Sequence, residues 1–307
     1  MQPIICVTPN PALDLTLVVP DFKIGRVMRA SQSIAAAGGK GVNVARAIKI
    51  LGGEALNAGF LGGYAGCQVA DYAASEGMRA EWTWISSETR TCIILVIDGA
   101  TVVNEVGPTV SGGDWDRLQA TVLHLSDHVQ HICFSGSLPP GSPIGAFVDL
   151  VHALVKAGKR VWVDTSGETL AAVVPCGAVI KVNSGEAGAL LGRKVIDVSG
   201  AFDASQELQR RGAAGVVLTL GGAGAVLVMG NEAWRATPPP LKVVSAVGSG
   251  DTFMAGLVTT FADGLPAGEA LRRAVAAGAA NALSSGGGFF TRAEFDIILA
   301  QTTSSER

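Results

Sequence analysis

Short apolar runs rich in β-branched residues alternate along this chain with longer stretches whose apolar positions recur every three or four residues. The runs at 4–8, 132–135, 160–164, 179–182 and 216–219 lack the strict alternation of a half-exposed strand, so they predict strands buried on both faces. The stretches at 41–51, 115–125, 144–157, 204–211 and 252–262 carry the helical period. Strand–helix alternation over most of the length predicts an α/β fold in which a mostly parallel central sheet is covered by helices on both faces. A single domain over residues 1–307 accommodates it.

Two early regions break the alternation. Residues 13–19 and 90–98, the latter followed by 101–106, read as strands with no helix between them, and Asp98-Gly99 is a hairpin turn signal. They predict a small β-layer, approximately 12–20 and 89–107, lying over the ligand pocket and available for a contact between two copies. An antiparallel edge on the main sheet is the alternative. Residues 212–230 carry no charge and tempt a membrane-span reading, but Gly221-Gly222 divides them into 216–220 and 225–228, two buried strands joined by a turn. Pro238-Pro239-Pro240 reads as a stiff loop rather than a domain linker.

Composition narrows the function. Only 16% of residues are charged, which implies a large buried core, and a net charge of −3 with no basic stripe argues against nucleic acid or an anionic membrane as partner. Cys6, Cys67, Cys92, Cys133 and Cys176 form no CxxC pair and read mostly as buried thiols of a reducing, cytoplasmic compartment. The N-terminus has no basic segment before its apolar run, against a signal peptide. His124 and His128 have i,i+4 spacing without an acidic or cysteine partner nearby, and read as a solvated helix face.

Five segments carry candidate chemistry. In Gly248-Ser249-Gly250-Asp251, glycines free the backbone to turn several N–H groups toward one spot at a helix start, a site for the charge of a transferring phosphoryl group. Asp251 at its edge is a candidate base, and Asp is also a favoured N-cap. In Gly38-Gly39-Lys40-Gly41-Val42-Asn43, glycines permit close backbone approach and Asn43 offers donor and acceptor to a sugar hydroxyl; the segment is neither a Walker A loop nor GxGxxG. Asp14 follows the first buried strand and suits two sugar hydroxyls. Asn183 and Glu186, three apart after 179–182, suit a hydrated magnesium ion and equally form a capping box. Thr219-Leu220-Gly221-Gly222-Ala223-Gly224 is a phosphate-approach loop or a plain hairpin turn.

Taken together, and in this order, these loops make the chain similar to the PfkB or ribokinase-like sugar kinases, most of all to the phosphohexose branch with 1-phosphofructokinase and tagatose-6-phosphate kinase. The likeness runs from Thr8 to about Asn281. It implies a ribokinase-like three-layer α/β/α sandwich with a β-sheet lid, ATP and Mg2+ as cofactors, and a homodimer through the lid strands. It further implies that Asp251 activates the sugar hydroxyl over an anion hole of Gly248, Ser249 and Gly250. Asp14, Gly38, Gly39, Asn43 and Ser137 would line the sugar site. Lys181, Asn183, Glu186, Thr219, Gly221, Gly222 and Gly224 would face the nucleotide, and Asn281 the adenine. Glu186, and Asp164 through water, would serve the metal. Arg26, Arg29, Lys40 and Arg90 stand where phosphohexose kinases hold the phosphate already on the substrate; loop solvation is the plainer reading of Arg26 and Arg29. Ser249 stands where many relatives have Ala.

The resemblance implies phosphoryl transfer from ATP to a primary hydroxyl of a ketohexose phosphate, fructose 1-phosphate or tagatose 6-phosphate. The alternatives are a kinase for a free sugar or nucleoside, a non-catalytic sugar-phosphate sensor, and a dinucleotide oxidoreductase; the absence of GxGxxG after the first strand argues against the last.

Overall fold

The computed structural model describes residues 3–97, 99–284 and 286–307. The first half of the chain contains β1 (Ile4–Thr8), β2 (Ala12–Val18), β3 (Gln32–Gly38), α1 (Lys40–Ile50), β4 (Ala55–Leu61), α2 (Gly63–Ser75), β5 (Arg79–Trp84), β6 (Arg90–Val96), β7 (Ala100–Asn104), α3 (Gly112–Ser126), β8 (His131–Ser135) and α4 (Ile144–Lys156). The second half continues with β9 (Arg160–Asp164), α5 (Gly167–Val173), β10 (Val179–Asn183), α6 (Ser184–Leu191), α7 (Val198–Arg210), β11 (Gly215–Thr219), β12 (Ala225–Met229), β13 (Glu232–Thr237), α8 (Ser249–Ala262), α9 (Ala267–Asn281), α10 (Arg292–Gln301) and β14 (Thr303–Glu306).

Ten strands form one sheet in the order β14-β13-β12-β11-β10-β9-β8-β1-β4-β5. From β11 to β5 every neighbouring pair is parallel, whereas β12, β13 and β14 extend the other edge antiparallel. The central strands are fully buried because successive side chains feed two different cores. Ile5 and Val7 of β1 pack with Trp115, Phe147 and Phe202 on one side of the sheet, while Ile4 and Cys6 pack with Ile48, Met254 and Phe295 on the other. The result is the three-layer α/β/α arrangement expected from the continuous apolar runs. The uncharged 212–230 stretch resolves into the antiparallel pair β11–β12, with Val216 packing on one face of the sheet and Val217 on the other. Among the described residues no helix is long and apolar enough to cross a membrane.

The lid is a separate four-stranded sheet, order β3-β2-β6-β7, and not an edge of the main sheet. Asp98 of its hairpin turn lies outside the described residues. Strand β3 was not expected from the sequence: its Ala-rich run has low strand propensity, and the ladder to β2, from Ala12↔Gly38 to Val18↔Gln32, supplies the order that propensity does not. His124 ends up exposed near the end of α3 and His128 beyond that helix, so the two do not share a helical face. Four of the cysteines are buried as free thiols, and Cys67 is exposed on α2.

Candidate active site

The carboxyl ends of the parallel strands define one rim, the edge where open α/β sheets present their ligand-binding loops. Register places Ser135 beside Asp164, and Asn183 beside Thr219, at that edge. Helices α1 and α8 start above it. Gly39 caps α1 at φ 101° and Gly248 caps α8 at φ 79°, both positive-φ conformations that glycine adopts without strain, and neither helix start has a side-chain cap. The first-turn amides of α8 are therefore not covered by a side chain. A Cβ on Gly248 would come within 2.5 Å of the Gly287 Cα, so this turn also needs glycine for space.

The anion loop is narrower than the sequence suggested. The Ser249 N–H donates to Ala246 O (3.2 Å) and the Asp251 N–H to Gly248 O (3.0 Å). Gly248 and Gly250 carry the N–H groups with no partner among the described residues. A Cβ placed on Gly250 would lie 2.8 Å from the Lys181 Nζ, which puts that ammonium alongside the loop. Asn281 braces the loop from behind rather than facing outward. Its Nδ2 donates to Val247 O (2.7 Å) and Ser249 Oγ (3.3 Å), its Oδ1 accepts from the Gly288 N–H (2.8 Å), and its side chain is buried, leaving it no polar group for an adenine.

Asp251 sits in the first turn of α8, 5% exposed, and its Oδ2 accepts a hydrogen bond from the Asn43 Nδ2 at 2.9 Å. Burial pushes the Asp251 carboxyl up to about 6; Asp164 adds to the rise, while Lys40, the Asn43 hydrogen bond and Lys181 oppose it. A carboxylate with this poise accepts a proton near neutral pH better than an exposed aspartate does.

Lys40, expected in the clamp on the phosphate already on the substrate, lies beside Asp164 and Asp251. Its Nζ pairs with Asp164 Oδ1 at 3.1 Å and lies in the field of Asp251. Burial works against its charge, but Asp164 first and Asp251 second outweigh that and hold the ammonium well above the ordinary lysine range. Asp164, fully buried, also accepts from the Lys181 Nζ at 2.7 Å, so both its oxygens are engaged by lysines. Burial alone would raise its pKa; Lys181 and Lys40 instead keep it below the usual carboxylate range. It was expected to serve a metal through water; the structure engages each of its oxygens with one lysine ammonium. Asp164 is the counter-ion that fixes two ammonium groups at the mouth of the anion loop.

Asp14 on β2 faces the same space from the lid. Burial pushes it up to about 6, against Arg46 and Arg90, with Asp251 adding to the rise. Gly38 makes room for it: a Cβ there would fall 2.1 Å from the Asp14 Cγ. Gly39 and Gly41 answer a different need from the ligand approach that was expected, because Cβ atoms on them would meet Thr8 and Val7 of β1 or Pro11. Gly38→Ala is expected to displace the Asp14 carboxylate and raise the KM of the acceptor about tenfold, the scale of one charge-assisted hydrogen bond, with a smaller effect on the KM of the nucleotide. Initial-rate kinetics on the variant check this.

Arg90 is held by Asn10 O (3.3 Å from Nε and 3.0 Å from Nη2) and Glu105 O (3.1 Å from Nη1), leaving two of its five N–H groups without a partner among the described residues. Ser137 lies exposed at the rim, 3.4 Å from the Asn10 Nδ2. Arg26 and Arg29 are not brought to this cluster. They are exposed in the loop joining β2 to β3, at the Val18–Gln32 end of the hairpin, whereas Asp14 pairs with Ala36 nearer the other end. Within one chain they are solvated, as the plainer reading had it.

On the nucleotide side, Asn183 and Glu186 form a complete capping box: the Glu186 N–H donates to Asn183 Oδ1 and the Asn183 N–H to Glu186 Oε2, each at 2.9 Å. The cap turns Glu186 along the rim without excluding a ligand at its other oxygen. Thr219 donates to Val182 O (3.4 Å), and Gly221 and Gly222 face open space, as a loop approached by phosphates requires. A Cβ on Gly224 would strike Ala236 O, so that glycine serves the β12–β13 hairpin. Among the described residues no group of three His, Cys, Asp or Glu side chains is placed to hold a metal ion.

Sequence reasoning missed Arg46. It is buried on α1 and its guanidinium bridges Glu76, Asn43 and the 287 loop. The available signal was its i,i+3 spacing from Asn43, which places both on one helix face; its carboxylate partner is thirty positions away and invisible to local patterning.

Comparison with known proteins yields consistent relatives. The family model described as pfkB family carbohydrate kinase matches residues 8–293. The 1-phosphofructokinase of Haloferax volcanii is 34% identical over 275 residues, 89% of this chain and 88% of that protein. The tagatose-6-phosphate kinase of Staphylococcus epidermidis is 30% identical over 303 residues, 97% and 98% of the two chains. The solved tetrameric inhibited form of phosphofructokinase-2 from Escherichia coli superposes with a TM-score of 0.90 at 29% identity, covering 98% of this chain and 99% of its own.

Proposed function

The chain belongs to the pfkB family of carbohydrate kinases, and from that premise we propose that it moves the γ-phosphoryl group of ATP onto a hydroxyl of a ketohexose phosphate, with Asp251 as the base. It is a phosphotransferase with an alcohol group as acceptor. The observation that carries the reading is the convergence of Asp251, Asn43, Lys40 and the Gly248–Gly250 turn on one point of the rim.

The acceptor hydroxyl donates its proton to Asp251 as its oxygen approaches the γ-phosphorus in line with the leaving ADP oxygen. Lys40, Lys181 and the amides of Gly248 and Gly250 are set in place beforehand where negative charge grows on the transferring group. Asp14 orients the sugar by accepting from its hydroxyls. The two N–H groups that Arg90 keeps available suit the phosphate already on the acceptor. The lid sheet closes over the sugar and limits transfer to water.

Magnesium fits as a largely hydrated ion that enters with the nucleotide, since Glu186, unlike Asp164, carries no lysine among the described residues and keeps one oxygen outside its cap. When bound, it supplies charge neutralisation on the nucleotide phosphates. A homodimer through the lid is supported by the exposed Ile34, Val102, Val103 and Val106 on its strands and nearby loop. A cytoplasmic location is consistent with substrates of this kind.

An acceptor panel with ATP and Mg2+ tests the reading. A ketohexose phosphate, either fructose 1-phosphate or tagatose 6-phosphate, is expected to exceed free fructose in kcat/KM by about 10²-fold or more, the scale of two lost charge-assisted contacts. Equal or better use of the free sugar would overturn the assignment to this branch.

A further inference from the structure

Arg46 has five N–H groups, and the structure uses all of them. Nε donates to Glu76 Oε2 at 2.5 Å. Nη2 donates to Glu76 Oε1 at 3.0 Å and to Ala37 O at 2.6 Å. Nη1 donates to Asn43 Oδ1 at 2.9 Å and to Gly287 O at 3.3 Å. Arg46 is 5% exposed, and its guanidinium lies 4.5 Å from the ring centroid of Phe289. A bidentate carboxylate, two carbonyls and a ring face therefore fix its plane.

This matters because of what lies next along the chain of bonds. Asn43 has two chemically opposite ends. Its oxygen receives Arg46 and its nitrogen donates to Asp251 Oδ2 at 2.9 Å. Arginine has no acceptor, so only the amide oxygen can face it, and the nitrogen is thereby turned to the base. A flipped amide would set an oxygen lone pair against the Asp251 carboxylate. Space is also closed: a Cβ on Gly287 would come within 2.9 Å of the Asn43 Nδ2.

We propose that Arg46, braced by Glu76, is a positioning residue that fixes the orientation of the Asn43 amide so that it donates to the catalytic carboxylate of Asp251. The proposal rests on the role given to Asp251 above. It assigns to Glu76, thirty residues away on the helix-end turn after α2, a part in the chemistry that no local motif marks.

The groups facing Asp251 are Lys40 and Asn43 from α1, Asp164 from β9, Lys181 from β10 and Asp14 from β2. Those facing Arg46 are Glu76 and Asp14. Asp14 faces both, but through charge, which a lysine at position 46 retains; the Asn43 hydrogen bond to Asp251 depends on how the Arg46 guanidinium itself is held.

The test compares the pH dependence of kcat in the wild type, Arg46→Lys, Glu76→Gln, Asn43→Ala, Asn43→Ala/Arg46→Lys and Asp251→Asn, each checked for folding by circular dichroism. Lysine keeps the charge but not the fork. Arg46→Lys is expected to lower kcat about tenfold and move the acid limb up by about one pH unit, the equivalent of a lost charge-assisted hydrogen bond. The KM for ATP stays within about twofold, since among the described residues Arg46, Glu76 and Asn43 make no hydrogen bond to Lys181, Asn183, Glu186 or the 219–224 loop. Glu76→Gln moves the limb in the same direction by less, and serves as the readout where Arg46→Lys does not fold. In the Asn43→Ala background, Arg46→Lys adds no further limb shift.

A folded Arg46→Lys or Glu76→Gln enzyme with an unmoved limb overturns the positioning role, as does a further shift in the double variant. If the limb survives in Asp251→Asn, the base assignment itself fails and the proposal with it. If the limb is lost there but unmoved by Arg46→Lys and Glu76→Gln, the positioning proposal alone fails.

Discussion

Asp251→Asn is expected to lower kcat by roughly 10²-fold or more while raising thermal stability at pH 7.5. The two effects share one cause. Asp251 is nearly enclosed, and burial is the largest influence that lifts its carboxyl from 3.8 to about 6. A carboxyl whose folded pKa lies above its unfolded one contributes stability that is fully present below the unfolded pKa and is lost as pH rises through the folded one. At pH 7.5 the wild type thus carries an ionised group in a place that disfavours it, by about 3 kcal/mol at most. Asparagine keeps the shape and an acceptor for the Asn43 Nδ2 but carries no charge. The difference in Tm between variant and wild type should grow between about pH 4 and 6, the window bounded by those two pKa values. Scanning calorimetry at several pH values measures it alongside turnover. A variant that loses activity and stability together at pH 7.5 would mean that Asp251 holds the fold instead of serving the reaction.

Lys40→Met is expected to cost about 10² to 10³ in kcat, the scale for removing one preorganised group from a transition state that gains negative charge. The variant should fold, because Asp164 keeps Lys181 at 2.7 Å, and methionine retains most of the lysine stem. Lys40 also opposes the rise in the Asp251 pKa, so the acid limb of kcat should move upward in the variant. Initial rates across pH check both. A lowered kcat with an unmoved limb would place Lys40 on the transferring phosphoryl alone; a changed acceptor KM with normal kcat would return it to the clamp on the existing phosphate. Lys181→Met is the informative contrast: it removes the buried, closer partner and leaves fully buried Asp164 only the half-exposed Lys40 at 3.1 Å, so its loss is expected to fall on stability first.

Much of this site was readable because its chemistry lies in local runs. The Gly248–Asp251 segment combines the conformational freedom of glycine with a helix start, and both are local properties. The strands 4–8 and 160–164 declared themselves as unbroken apolar runs because both their faces are buried. What escaped was long-range. Lys40 looks like a surface cation in a glycine loop until β9 delivers Asp164 beneath it, 124 positions later. Arg46 reads as an ordinary helix arginine until Glu76 and the 287 loop close on it. Strand β3 is composed of residues that do not favour strands and exists because β2 offers it a ladder. Within one chain Arg26 and Arg29 share charge sign with the site but not its place, since the hairpin carries them to its opposite end. Asn281 was set beside the nucleotide by resemblance, whereas its amide is spent holding the anion loop in shape.

The most direct measurement is the pH dependence of kcat for the wild type and Asp251→Asn with the best ketohexose phosphate from the acceptor panel. The wild type is expected to lose turnover on the acid side with an apparent pKa near the value of about 6 set by burial at Asp251, and the residual rate of the variant to run flat through the same range. An acid limb that persists unchanged in the asparagine variant would contradict the account, because the proton would then be taken by another group.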